Sequence, residues 1–258
     1  MTWKKELCVA IDVALKAGEI IAKYYQTGVA VHHKSAEQPV TIADREADAI
    51  IKKIVLSAFP NDGWFSEETT DNAQRLSKRR VWIVDPLDGT KEFIGGVPEF
   101  AVSIALVENA RPVVGVVYNP ATSELFYASK KGGAFFGEKR IHVSDEKDFK
   151  KSRILASRSE LGRGEWKKHE GRFQIVPSGG MAFKMVQVAC ARADASFSLQ
   201  PKTEWDFAAG LLIVEEAGGV VSQIDGSRFV FNKKDPLATG IVHSNPFLYS
   251  NIMDLIKT

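Results

Sequence analysis

Val81-Trp82-Ile83-Val84-Asp85-Pro86-Leu87-Asp88-Gly89-Thr90 is an unbroken apolar run that ends in an acidic turn. Four β-branched or aromatic residues in a row read as a buried strand, and Pro86 and Gly89 mark where it gives way to a turn. Asp85 and Asp88, three residues apart, held by a proline and released into a glycine, suit a hard divalent cation, because Mg²⁺ prefers anionic oxygens in near-octahedral order. Gly89 permits close approach of the backbone, so the amides around Gly89 and Thr90 can face phosphate oxygens as an anion nest. The same residues would also make a plain Asp-Gly turn after a core strand. Further acidic groups weaken that simpler reading. Glu67-Glu68 directly follow the strand-like Trp64–Ser66, and Asp206 opens an apolar helix. Taken singly, Asp206 also reads as a first-turn cap, Asp44 as the partner of Thr41 in a capping box, and Glu68 as a solvated carboxylate. Glu67 is the stronger ligand candidate of its pair, by its place beside the strand.

Working outward, Leu7, Ile11, Ala14, Ile21 and Tyr24 recur at helical spacing, which predicts an amphipathic helix ending near Gly28. A second helix follows the Thr41 cap, with Ile50, Ile51, Ile54, Val55 and Ala58 on one face and Pro60 as its stop. Val102–Val107, Val113–Tyr118 and Glu124–Ala128 read as further strands, and Gly132–Gly133 and Gly137 as turns. The charged stretch Asp145–Lys151 is the natural boundary between an N-terminal half, residues 1–145, and a C-terminal half, residues 146–258. Beyond it, Ile154–Ala156 predicts a strand, Ala182–Ala193 a helix, and Trp205–Ala217 a helix closed by Gly218–Gly219. Helices and strands in blocks, with no internal repeat, predict an α+β layered sandwich.

The bulk composition narrows the partners. A chain of 258 residues with 45% hydrophobic residues can fill a sizeable core. Its 34 Lys+Arg against 32 Asp+Glu leave a formal charge of +2, far from the basic excess that a nucleic-acid polymer demands, so a small-molecule partner is expected. Cys8 and Cys190 fall in helix-patterned segments without metal spacing and read as reduced packing residues. The N-terminus has no signal-peptide core and no run approaches the ~18 apolar residues of a membrane span, so a cytoplasmic location with no membrane association is expected.

Taken together, Asp85-Pro-Leu-Asp88-Gly89-Thr90, Trp205-Asp206-Phe-Ala-Ala-Gly210 and Ser66-Glu67-Glu68 resemble the inositol monophosphatase superfamily. The likeness extends to Val40-Thr41-Ile42-Ala43-Asp44 and Glu215-Glu216-Ala217-Gly218-Gly219, and so spans nearly the whole chain. It implies the αβαβα sandwich of the inositol monophosphatase/fructose-1,6-bisphosphatase type. It also implies a phosphoric monoester hydrolase dependent on two or three Mg²⁺ ions and inhibited by Li⁺. By resemblance, Glu67, Asp85 and the Leu87 carbonyl hold one ion, while Asp85, Asp88 and Asp206 hold a second. Thr90 with Asp44 orients and helps deprotonate the attacking water, and no covalent phosphoenzyme forms. Members are often homodimers, though nothing in the sequence separates interface from core.

Asp85–Ile94, with Lys91-Glu92-Phe93 after the acidic turn, is most similar to the 3′(2′),5′-bisphosphate nucleotidase branch, as is Gly115-Val-Val-Tyr-Asn-Pro120. Inositol phosphatases carry an acidic residue ahead of the Trp-Asp pair, where this chain has Ser198-Leu199-Gln200. Lys184 and Lys202 would suit a second phosphate on the substrate, and Ser157, after a predicted strand, is a further contact candidate. Adenosine 3′,5′-bisphosphate is the expected substrate, with inositol 1-phosphate and fructose 1,6-bisphosphate as alternatives. A catalytically idle relative that binds phosphometabolites is the non-enzyme alternative. It should have lost at least one of Glu67, Asp85, Asp88, Thr90 or Asp206, and all five are present.

Overall fold

The computed structural model describes residues 2–35 and 38–257; Met1 and Thr258, the outer limits of the two expected halves, lie outside the described residues. The chain opens with helix α1 (Lys4–Tyr24), an antiparallel pair β1 (His32–Ser35) and β2 (Gln38–Val40), and helix α2 (Ile42–Ala58). One seven-stranded sheet then forms in chain order from β3 (Gly63–Ser66), β4 (Arg80–Asp88), β5 (Ala101–Glu108), β6 (Arg111–Asn119), β7 (Glu124–Ser129), β8 (Gly133–Phe136) and β9 (Lys139–Ile141), with the short helix α3 (Thr90–Ile94) after β4. The remaining chain supplies β10 (Arg153–Ser157), α4 (Arg158–Gly162), β11 (Gln174–Ser178), α5 (Met181–Ala189), β12 (Ala195–Ser198), β13 (Lys202–Thr203), α6 (Glu204–Glu216), β14 (Val220–Ser222), β15 (Leu237–Ala238), β16 (Ile241–Ser244) and α7 (Tyr249–Lys257). Its main sheet runs β11-β10-β12-β16-β14, and β13 pairs with β15 apart from it.

Alternation along β4 builds the layers. Trp82 and Val84, with Val102, Ile104 and Leu106 of β5, join the core under α1 and α2, whereas Val81 and Ile83, with Ala105 and Val107, turn to α5 and α6. Each of the buried aliphatic side chains Val81, Ile83 and Val84 contributes on the order of 1.5–3 kcal/mol, so the strand is fixed from both faces. α6 is buried along Phe207–Val214 because it lies between layers, while α1 and α2 bury one face only. α5 touches both sheets, and the outer face of the second is closed by α7 and an aromatic cluster of Trp166, Phe173 and Phe197. The fold is α+β, layered αβαβα, as expected.

Several local expectations change. α1 stops at Tyr24 because Tyr25 is extended and Gln26 adopts φ 62°. α5 ends at Ala189 rather than Ala193, since Ala191 turns left-handed (φ 60°) and Asp194 accepts the Arg153 amide at 2.7 Å. Cys190 is half-buried at the end of α5, but Cys8 is exposed, which corrects its reading as a packing residue. It precedes the buried Ala10 by two positions, roughly 200° around the helix. Among the described residues no helix is long and apolar enough to cross a membrane.

Candidate active site

β3 and β4 run parallel with Ser66 paired to Val84, so the next residues, Glu67 and Asp85, emerge side by side at one end of the sheet. The Glu67 amide donates to the Val84 carbonyl at 3.2 Å. Pro86 cannot donate to a ladder, and the β4–β5 register slips between Asp85 and Asp88. Within that slip Asp85 Oδ1 accepts the Leu87 amide at 3.0 Å, and the Leu87 carbonyl accepts Thr90 Oγ1–H at 3.1 Å. Gly89 holds φ 89°, and a Cβ there would sit 2.9 Å from the Glu99 carbonyl oxygen, so the turn into α3 requires glycine.

Three carboxylates of the region cap helices. Asp44 Oδ2 accepts the Thr41 amide at 2.8 Å and the Thr41 hydroxyl at 2.7 Å, while its Oδ1 accepts Thr90 Oγ1–H at 3.1 Å. Asp206 Oδ2 accepts the Thr203 amide at 2.8 Å at the head of α6. Asp88 reaches across to α5, where its oxygens accept the Met181 and Phe183 amides at 2.7 and 3.1 Å. Gly180 makes that approach feasible, since a Cβ on it would lie 2.5 Å from Asp88 Oδ2. The cap readings of Asp44 and Asp206 therefore hold.

A cavity of about 190 Å³ opens here, lined by Pro39, Glu67, Asp85, Leu87, Asp88, Gly89, Thr90, Lys91, Glu92 and Asp206. Its carboxylates crowd one another in a desolvated place. Burial, then Glu67, Asp88 and Asp206, push Asp85 well above the usual carboxylate range. Burial brings Asp88 to about 6 against the pull of its helix amides. Burial lifts Asp206 to about 7, with Lys202 opposing and Glu67 and Asp88 adding to the rise. Buried carboxylates that repel one another and present hard oxygens fit a divalent cation. Among the described residues no three acidic, His or Cys side chains are already gathered into a ligand cluster, and Asp88 and Asp206 each accept a helix-head amide.

Residues 3–257 match the model of the inositol monophosphatase family. The chain belongs to the inositol monophosphatase family. It is thus a phosphoric monoester hydrolase by family. It is 35% identical to an inositol monophosphatase of Mesembryanthemum crystallinum over 97% of this chain and 95% of that one. It is 32% identical to the Nus factor SuhB of Xylella fastidiosa over 87% of this chain and 84% of that one. Among solved structures, the inositol monophosphatase of Thermotoga maritima superposes with a TM-score of 0.89 at 29% identity, covering 98% of this chain and 97% of that chain.

Of the residues expected at an inositol monophosphatase-type site, Glu67, Asp85, Leu87, Asp88, Gly89, Thr90 and Asp206 line the cavity, and Asp44 touches it through Thr90. The expected substrate contacts stand further back. Lys184 is 3% exposed in α5, its charge disfavoured by burial and favoured by Glu160, Asp88 and Glu92. Lys202, in β13, is half-buried and close enough to influence Asp206. Ser157 stands at the N-terminal boundary of α4 without a side-chain cap bond and is not among the residues lining the cavity, while its neighbour Arg158 pairs with Glu99. Glu92 was missed as a wall residue; burial raises its carboxyl, and its place in the first turn after Gly89 was the available signal. The amides of Met181 and Phe183 were also missed, although Gly179-Gly180 ahead of an apolar helix pointed to a close backbone approach.

Proposed function

We propose that the chain is a Mg²⁺-dependent phosphomonoesterase that directs water at the phosphate ester of a small soluble metabolite. The carrying observation is the crowding of Glu67, Asp85, Asp88 and Asp206 around one cavity, beside the Thr90–Asp44 hydrogen bond. Residues 1–145 would supply most ligands, with the Leu87 carbonyl among them, and residues 146–258 would add Asp206 and the α5 amides. Bound in this site, Mg²⁺ supplies charge for the phosphoryl oxygens and the leaving alkoxide and lowers the pKa of water. Thr90 Oγ1–H donates a hydrogen bond to Asp44 Oδ1, which leaves a Thr90 Oγ1 lone pair free to accept a hydrogen bond from the attacking water. Burial raises Asp44, making it readier to accept a proton. The Gly89 and Thr90 amides offer donors for phosphate oxygens.

Two substrates have specific support. Relatives bearing the name inositol monophosphatase favour an inositol monophosphate. Leu199, 43% exposed where an acidic inositol contact was expected, speaks against inositol, and the half-buried Lys202, whose charge reaches Asp206, offers a cation for a second phosphate, as in adenosine 3′,5′-bisphosphate. The deciding experiment is phosphate release with Mg²⁺ from inositol 1-phosphate, adenosine 3′,5′-bisphosphate and fructose 1,6-bisphosphate, compared by kcat/KM. A nucleotide preference that collapses in Lys202→Met supports the second reading. An inositol preference untouched by that change supports the first, and release from none of them leaves a non-catalytic phosphometabolite binder.

A further inference from the structure

Arg75 lies outside the site and is 2% exposed in a short 3₁₀ helix, Ala73–Ser77. Its Nε and Nη2 donate to Asp71 at 2.7 and 2.9 Å, Nη1 donates to Asn232 Oδ1 at 2.8 Å, and Nη2 also donates to the Lys233 carbonyl at 3.1 Å. The Asn232 side-chain amide returns a bond to the Arg75 carbonyl at 3.0 Å. The Asn232 and Lys233 amides in turn donate to Glu204, itself 1% exposed, at 2.7 and 3.0 Å. Glu204 is the first residue of α6.

The flat face of the same guanidinium covers Phe65, with Cζ 4.0 Å from the ring centroid, and Phe65 packs on Trp205 at 4.8 Å between centroids. Phe65 precedes Glu67 by two residues, and Trp205 precedes Asp206 by one. One arginine thus grips the end of β3 through its stack and the head of α6 through its hydrogen bonds. These are the two places from which Glu67 and Asp206 enter the cavity. The two carboxylates repel, so a rigid tie between their backbones resists their separation in the absence of a cation. Lysine has neither the planar face nor the forked donors for both contacts.

We propose that Arg75 is a positioning residue for divalent-cation binding, setting the separation of Glu67 from Asp206 through the Phe65–Trp205 stack and the Asn232–Glu204 bonds. The inference rests on Glu67 and Asp206 being metal ligands. The test is Mn²⁺ binding to the full chain by electron paramagnetic resonance, read beside the Mg²⁺ dependence of phosphate release. Arg75→Met should raise the Mn²⁺ dissociation constant about tenfold or more, as loss of groups that orient metal ligands does. In the same variant kcat at saturating Mg²⁺ should stay within about threefold, and Arg75→Lys should not restore affinity. Unchanged Mn²⁺ affinity in Arg75→Met overturns the proposal, even if melting drops. Should Arg75→Met not fold, Glu204→Gln loosens the same tie from its other end and is held to the same criterion. Glu67→Gln and Asp206→Asn serve as controls: if neither weakens Mn²⁺ binding, the ligand assignment itself fails, whatever Arg75 does.

Discussion

Asp88 Oδ1 accepts the Met181 amide at 2.7 Å across 93 residues of chain. A carboxylate of the first sheet thereby anchors a helix of the middle layer while lining the cavity. The proposed cation role needs its charge, whereas the Met181 and Phe183 amides need an oxygen each. Asp88→Asn loses the charge and keeps an acceptor for one of the two amides. It should lower kcat/KM by more than about 100-fold, since a metal-held charge supplies several kcal/mol. Its melting temperature should stay within about 3 °C of the parent. Asp88→Ala should lose the same activity and about 1 kcal/mol of stability besides, for the missing cap. Denaturant titration of the pair beside the parent tests this, and equal melting of the two variants would count against the cap.

Thr90 has one hydroxyl proton and two acceptors at 3.1 Å, Asp44 Oδ1 and the Leu87 carbonyl. Thr90→Val keeps the shape and removes the hydroxyl, and should cut kcat by roughly 10²–10⁴-fold, the range of a positioned proton acceptor. Thr90→Ser should retain most of the rate. Comparable rates for the serine and valine variants would remove Thr90 from the chemistry.

Asp48, 6% exposed on α2, accepts the hydroxyls of Ser66 and Thr69, the latter at 2.6 Å, and so pins the segment carrying Glu67. Asp48→Ala leaves the buried Ser66 hydroxyl proton without its acceptor and should cost about 2 kcal/mol in chemical denaturation. A loss below about 0.5 kcal/mol, the size of an ordinary surface change, would show that water replaces the carboxylate.

His243 is 0% exposed in β16, and neither ring nitrogen has a hydrogen-bond partner among the described residues. Burial, and then the charge of Lys184, lower its pKa from 6.5 to about 3. Between those values the unfolded chain binds a proton that the folded chain refuses, so stability falls as pH drops from 6.5 toward 3. His243→Leu should lose less of its melting temperature between pH 7 and pH 5 than the parent does. Parallel curves would show that the imidazole takes up its proton in the fold as it does in the unfolded chain.

Much of the fold was legible because its long elements carry strong periodicity. β4 and β5 read as apolar runs, and the α2 capping box of Thr41 and Asp44 is written in four adjacent residues. The hairpin and ladder strands of two to four residues were not, since pieces such as Lys202–Thr203 are too short to show any period. Exposure within a helix was misread at Cys8 for a related reason: a small residue is tolerated on either face, so its identity does not report its direction.

Residue order was enough for the local turn: Asp85-Pro86-Leu87-Asp88-Gly89-Thr90 sets two carboxylates, a ladder break and a glycine turn within local reach, where backbone geometry follows from residue type. Tertiary structure alone decided who their neighbours are. Parallel pairing set Glu67 beside Asp85, the packing of α5 brought the Met181 amide to Asp88, and burial moved Lys184 off the cavity wall that its charge had promised. Such contacts join segments far apart in the chain through register, layer spacing and desolvation, none of which is a property of a short stretch of residues.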